Sequence, residues 1–241
     1  MFRDFKATIV ALTILSSPLS YAGGAMENNS RSTDDSTSAI YIGLSVGSVK
    51  TSDGYRERLA NDSDYNGFTY DGADSSSLQG LLVGINTNYL SAYGLVLGGE
   101  FYLENRDVNF KELDRLNGTP NALFETATKS KYSASLSARL GYPITSSILI
   151  YTSLGRTVSD MERIYYNVAS SATDVRSDTL YGWTKAFGME YKMSNSMSAR
   201  IEHSKTNYHD DYYTASVYSG LIQKAVNVQD ESLKFSLIFG F

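Results

Sequence analysis

Six charged side chains stand mid-way along alternating apolar segments: Glu100, Arg139, Glu190, Arg200, Glu202 and Lys234. Three acids and three bases so placed suit internal ion pairing. They also suit a gated pore in which Arg139, Arg200 or Lys234 exchanges partners among Glu100, Glu190 and Glu202. The two histidines offer less. His203-Ser204 has the residue types of an acyl-transfer pair, but neighbours in a strand point to opposite faces, so Ser204 is badly placed as a nucleophile for His203, and Thr206 shares its inward parity. His209-Asp210-Asp211 has the types of an Asp/His hydrolytic site, which would need a second acidic pair on a facing strand; a solvated loop base is the simpler reading. The chain has 0 Cys, which removes disulfides, thiol catalysis and Cys-ligated zinc. No catalytic residue, metal site or cofactor is expected.

The elements that position these charges are strands. From Ala39 onward the sequence alternates with a period of two. Eight segments carry the pattern: residues 40–47, 78–89, 93–106, 131–142, 148–158, 178–192, 197–208 and 231–241. In 131–142 the apolar face is Tyr132, Ala134, Leu136, Ala138, Leu140 and Tyr142, opposed by Ser133, Ser135, Ser137 and Arg139. In 231–241 Leu233, Phe235, Leu237, Phe239 and Phe241 oppose Ser232, Lys234, Ser236 and Gly240. All six charges fall on the polar face.

A soluble core rarely tolerates six inward charges, whereas a small membrane barrel has a polar interior in which they can neutralise one another. Short turns (88–92, 142–147, 192–196) alternate with long polar connections (51–77, 107–128, 159–177, 209–227), the pattern of outer-membrane barrels. Aromatic residues gather at the short-turn end as an expected interfacial girdle of Tyr89, Tyr93, Tyr142 and Tyr191. The expected fold is therefore an all-β, eight-stranded, antiparallel, up-and-down transmembrane β-barrel with four long extracellular loops over residues 39–241. Eight strands enclose a space just wide enough for side chains, which favours a packed lumen over a static channel. Lys185 interrupts its apolar face between Trp183 and Phe187, where a mid-bilayer lysine costs roughly 2–4 kcal/mol; it either snorkels to the headgroups or turns inward at a bulge.

Residues 1–22 have the basic start (Arg3, Lys6), short apolar run and small-residue end (Ser20, Ala22) of a secretory signal peptide, and the polar stretch 23–38 reads as a flexible N-terminal arm. Net charge −5, from 21 Lys+Arg against 26 Asp+Glu, argues against a nucleic-acid partner. The connections are rich in Asp (Asp53, Asp62, Asp64, Asp71, Asp74, Asp160, Asp174, Asp210, Asp211) and Tyr (Tyr55, Tyr65, Tyr70, Tyr165, Tyr166, Tyr212, Tyr213), a composition suited to contact surfaces. No EF-hand spacing accompanies the acids.

Leu140-Gly141-Tyr142-Pro143-Ile144-Thr145, followed by Ile150-Tyr151-Thr152-Ser153-Leu154-Gly155, resembles the central hairpin of the OmpA transmembrane domain. Gly188-Met189-Glu190-Tyr191 and Ala199-Arg200-Ile201-Glu202 resemble two further strands of that family. The resemblance covers about residues 39 to 241 and implies an interior salt-bridged plug at Glu100, Arg139, Glu190, Arg200 and Glu202. Ser153 stands where the family has an interior Arg, leaving the plug one positive charge short unless Lys234 compensates. The family's peptidoglycan-binding domain does not follow the barrel in this sequence. The closing strand, with Phe235, Leu237, Phe239 and Phe241, resembles the recognition signal read by the barrel-assembly machinery.

These readings converge on export to the outer membrane of a Gram-negative bacterium, with outer-membrane lipid and lipopolysaccharide as neighbours. The expected role is a non-enzymatic surface protein that contributes to envelope integrity and contacts a host, matrix or phage ligand through its loops. A narrow porin-like channel gated by the interior charges is the alternative, and a lipid-modifying barrel enzyme comes third, on a faint resemblance of His203 and Ser204 to the His and Ser of lipid A deacylase barrels.

Overall fold

The computed structural model describes residues 39–59, 65–87, 94–209, 211–215 and 222–241. The signal-peptide and N-terminal-arm segments, Tyr89, Tyr93 and the acids Asp62, Asp64 and Asp210 lie outside these residues. Regular structure among the described residues is entirely strand: β1 (Ala39–Leu59), β2 (Tyr65–Thr87), β3 (Val96–Leu116), β4 (Thr119–Pro143), β5 (Ile148–Asn167), β6 (Ala172–Lys192), β7 (Met197–Tyr208), β8 (Asp211–Ala215) and β9 (Ile222–Gly240). Each pairs antiparallel with its sequence neighbour from β1 to β7, and β9 pairs with β1 from Tyr41↔Gly240 to Leu59↔Ile222, which closes the ring. β7 and β8 lie in succession along the same edge of β9, so they form one interrupted stave and the barrel has eight staves.

The strands are long. β4 has 25 residues and β3 has 21, whereas about 9–11 tilted residues cross a bilayer. The segments 51–77, 107–128 and 159–177, expected as loops, are mostly paired strand: β1 and β2 run together from Ala39↔Asn86 to Arg58↔Tyr65, and β5 and β6 from Ile148↔Tyr191 to Asn167↔Ala172. The physical reason is an inversion of the alternation. Toward the short turns the outward positions are apolar (Ile40, Ile42, Leu44 and Val46 on β1; Leu97, Phe101 and Leu103 on β3) and the inward ones mostly polar or small, apart from a buried cluster of Tyr41, Leu82, Tyr102 and Ile238. Farther out the side-chain parity continues, except on β4 where it shifts at a bulge, but the chemistry reverses. There Val49, Tyr55, Tyr70, Leu78, Val108, Phe110, Met161, Tyr165 and Val228 point inward as one buried cluster, and Lys50, Asp71, Asp107, Asn109 and Thr179 face out. The tip of β3–β4 is a two-residue turn at Asn117 (φ 51°) and Gly118 (φ 81°), joining Leu116 to Thr119. Two positive φ values in succession are the type I′ geometry that Asn-Gly favours.

Bulges break the register of β3–β4 between Asn105 and Val108, and of β4–β5 between Lys129 and Ser133. At the second, the carboxylate of Asp160 accepts the backbone N–H groups of Lys131 (2.9 Å) and Tyr132 (2.8 Å), so donors displaced from the ladder stay satisfied. β6 shows no shift between Trp183 and Phe187 against either neighbour, and Lys185 faces outward.

Two inward tyrosines lie over glycines of the adjacent strand. A Cβ at Gly84 would stand 2.3 Å from the Tyr41 ring, and one at Gly188 would stand 2.4 Å from the Tyr151 ring. Glycine supplies the floor on which each ring rests. Gly188→Ala is expected to destabilise the barrel by roughly 1–3 kcal/mol through forced displacement of Tyr151. Gly240→Ala, where a Cβ would meet nothing within 4 Å, is expected to be neutral. Urea-unfolding midpoints of the two variants in lipid vesicles check this, and equal midpoints would refute it.

Candidate functional site

The largest convergence of charged side chains among the described residues is in the lumen. Its lower tier is built on Glu100 and Tyr102 of β3, Arg139 of β4, Tyr151 of β5, Glu190 of β6, Arg200 and Glu202 of β7 and Lys234 of β9. Arg139 donates to Glu100 (3.4 Å) and Glu190 (2.8 Å). Arg200 donates to the same two carboxylates, at 2.6 and 2.9 Å. Glu100 also accepts the Tyr41 hydroxyl. Lys234 bridges Glu202 (2.9 Å) and Glu104 (3.0 Å), and Tyr151 donates to Glu202 (2.7 Å). Aromatic faces line the cations: the Arg139 guanidinium lies 3.8 Å from the Tyr151 ring centre and the Lys234 ammonium 4.4 Å from that of Tyr102. All six singled-out charges thus meet in one network. The signal for Glu104 was its inward parity on β3. Ser153, buried on β5, brings no charge, and Lys234 supplies a third cation through Glu202 and Glu104.

Above this tier the wall carries small hydroxyls. Thr184 links Thr157 and Thr206 (2.7 Å to the latter), and Ser204 bonds Ser232 (2.7 Å). They surround a cavity of about 20 Å³ that is also lined by Glu104, Arg106, Asp230 and Lys234, polar and just large enough for water.

A second, upper tier closes the bore beyond that cavity. Arg163 clamps Asp53 through Nε (2.8 Å) and Nη2 (2.9 Å), and Thr128 donates to the same carboxylate (2.7 Å). Arg106 pairs with Asp230, which also accepts Thr51 (2.7 Å) and Tyr208 (2.7 Å). Asp114 accepts Tyr55 and Thr126 (2.8 Å). Around these pairs the rings of Tyr55 and Tyr70 stack at 5.4 Å, and Tyr165 packs edge-on to Tyr55 at 6.1 Å. Asp53, Tyr55, Tyr70 and Tyr165, expected on contact loops, are therefore interior. Burial holds the Tyr70 phenol well above its ordinary range. Continuing parity from Ser45 through Thr51, Asp53 and Tyr55 was the signal for this tier.

The remaining sequence-expected residues face outward: Tyr142 and Tyr191 at the short-turn end, and Phe235, Leu237, Phe239 and Phe241 along the closing strand. The Phe241 N–H donates to the Ile40 carbonyl (2.9 Å), tying the end of the chain to β1. His203 is exposed and bonds Glu231 (2.9 Å), while Ser204 points into the lumen. His209 accepts from Arg156 on the outer wall. No cluster of three potential metal-binding side chains occurs among the described residues.

Residues 35–235 match the sequence pattern of the OmpA-like transmembrane domain. No curated protein matches the sequence. Solved structures with a similar trace include the attachment invasion locus protein Ail of Yersinia pestis (10% identity, 83% of this chain and 98% of that chain, TM-score 0.42). Others are the neisserial surface protein NspA (13%, 84% and 97%, TM-score 0.43) and OprG of Pseudomonas aeruginosa (13%, 84% and 96%, TM-score 0.47).

Glu100 is the more deeply buried of the two acids shared by Arg139 and Arg200. Glu100→Ala is expected to lower stability by roughly 3–5 kcal/mol, the cost of leaving buried charge uncompensated. Removing Glu162 from its exposed pair with Lys129 (3.7 Å) should change it by no more than roughly 1 kcal/mol. Denaturant unfolding of both variants in vesicles checks the contrast, and comparable losses would contradict it.

Proposed function

We propose that this chain, which belongs to the OmpA-like transmembrane domain family and so forms a β-barrel in the outer membrane of a Gram-negative bacterium, is a non-conducting, non-enzymatic surface protein. In this reading its walls outside the bilayer serve envelope integrity and adhesive contact. The observation that carries it is closure of the bore at two levels, by the Glu100–Arg139–Glu190–Arg200 network and by the Asp53–Arg163 and Arg106–Asp230 pairs within the aromatic cluster. Each level leaves its charges mutually paired, so a solute would have to break buried ion pairs twice. Separation of His203 and Ser204 onto opposite faces of β7 supports the non-enzymatic part.

The contact surface lies on the strand extensions. Thirteen residues separate Leu103 from the end of β3, roughly 43 Å along the strand. At the tips Leu116, Leu123 and Val168 are exposed, and the Val168 N–H bonds the Leu123 carbonyl (2.8 Å), which draws two of these apolar side chains together on the rim. Clustered apolar groups on a polar rim mark contact sites. One feature favours the alternative of a narrow channel: the hydroxyl-lined cavity between the tiers, flanked by Lys234 and Arg106, is the chamber that exchanging ion pairs would open.

Planar-bilayer recording separates the two. The wild-type barrel is expected to give no steady current steps, and a stable open level that changes in Glu190→Ala would establish the channel instead. For the contact role, residues 113–125 can be replaced by Asn-Gly, because Glu112 and Thr126 already face each other. The trimmed barrel is expected to retain heat-modifiable gel mobility while cells displaying it lose adherence to host-cell and matrix-coated surfaces. Undiminished adherence would remove the contact surface from this hairpin.

A further inference from the structure

We propose that the outer wall of β5, β6 and β7 holds a specific site for the phosphate groups of an outer-leaflet glycolipid, lipopolysaccharide, centred on Lys185, Lys205 and Arg156. Lys185 of β6 lies directly across the ladder from Lys205 of β7, with Leu154 of β5 on its other side. Side chains so opposed have Cβ atoms about 4.5–5.5 Å apart, and like charges there repel. Both are outward and exposed, and neither has an ion-pair partner among the described residues. Lys185 is framed along its own strand by Trp183 and Phe187, both exposed on the same face.

The neighbours sharpen the site. Arg156 sits opposite Trp183, its guanidinium 4.7 Å from the indole centre, and donates to His209 Nε2 (3.1 Å), which fixes that nitrogen as the acceptor. Glu231 of β9 faces Lys205 across the β7–β9 ladder, but its carboxylate is bonded by His203 Nε2 (2.9 Å). Lys185, Lys205 and Arg156 therefore share one patch, in which the facing acid among the described residues, Glu231, is already engaged.

Two other outward lysines behave differently. Farther along the wall, Lys111 pairs with Glu125 and Lys129 with Glu162. These two lysines are neutralised in place by a paired carboxylate, which Lys185 and Lys205 lack among the described residues. An anion of more than one charge, joined to acyl chains that can lie on Phe187, Leu154 and Leu233, relieves the Lys185–Lys205 repulsion and covers the apolar frame. A phosphorylated lipid combines both chemistries.

Trp183 is the chain's single tryptophan and touches Arg156, so its emission reports the site. The full-length chain, folded in micelles of an uncharged detergent, is titrated with lipopolysaccharide, with dephosphorylated lipopolysaccharide and with inorganic phosphate. Lipopolysaccharide is expected to give a saturable change in Trp183 emission, and the dephosphorylated form to require at least tenfold more. The K185Q/K205Q double variant should weaken the response at least tenfold, and K111Q/K129Q should leave it unchanged. Heat-modifiable mobility verifies folding, and R156Q, read the same way, stands in should the double variant not fold. The proposal is overturned by equal titrations with intact and dephosphorylated lipid, which would indicate a sugar or acyl contact. Inorganic phosphate reproducing the full change, which would indicate a free-anion site, overturns it too, as does wild-type affinity in the lysine variant and in R156Q.

Discussion

Arg139 and Arg200 share the carboxylates of Glu100 and Glu190, and this closed set of buried charges constrains the surrounding wall. Two guanidiniums within one eight-stranded lumen repel each other unless both acids stand between them. That fixes which strands must bring acid and which must bring base at one height. The aromatic rings of Tyr41 and Tyr151 then complete the packing around the cations, and their flat placement requires bare backbone at Gly84 and Gly188. A one-residue slip of β3, β4, β6, β7 or β9 would turn its charge into lipid, so the network holds the register of these staves.

The two tiers use different physics. The lower one lies within a wall whose outside is apolar, and its interior is stabilised by ion pairs and cation–aromatic contacts. The upper one rises where the outside of the wall is polar, and its interior resembles a soluble core of Val49, Val108, Phe110 and Met161 with ion pairs embedded in it. Between them the hydroxyl belt of Thr157, Thr184, Thr206, Ser204 and Ser232 needs neither charge nor bulk. Each tier pairs its buried charges internally, although Nε of Arg139 and of Arg200 makes no hydrogen bond among the described residues.

How much of this was legible in the sequence follows from that reversal. The lipid-facing alternation of residues such as Leu136, Leu140 and Tyr142 identifies the barrel and assigns Glu100, Arg139, Glu190, Arg200, Glu202 and Lys234 to one face, because period-two patterning is strong when one side is uniformly apolar. The upper strands were not legible as strands. Their Asp, Ser and Tyr content resembles loop composition, and their apolar residues sit on the opposite parity, so a reading tuned to outward apolar positions stops at Val46 and Leu103. Asn117-Gly118 was the local clue that 107–128 is a hairpin rather than a loop. The pairing of Asp53 with Arg163, 110 residues apart, has no local signal at all; it follows only once the five strands from β1 to β5 are in register.

The reversal of wall polarity also acts as a waterline. Raising the barrel by one rung would lift an apolar outward row into water, and lowering it by one rung would press polar outward side chains into hydrocarbon, so both displacements are opposed. Vertical position in the bilayer is thereby written into the same alternation that sets the faces, with the switch from Val46 to Lys50 on β1 and from Leu233 to Glu231 on β9 marking the line. The barrel carries its own depth gauge and needs no separate anchor to keep its outer walls clear of the lipid.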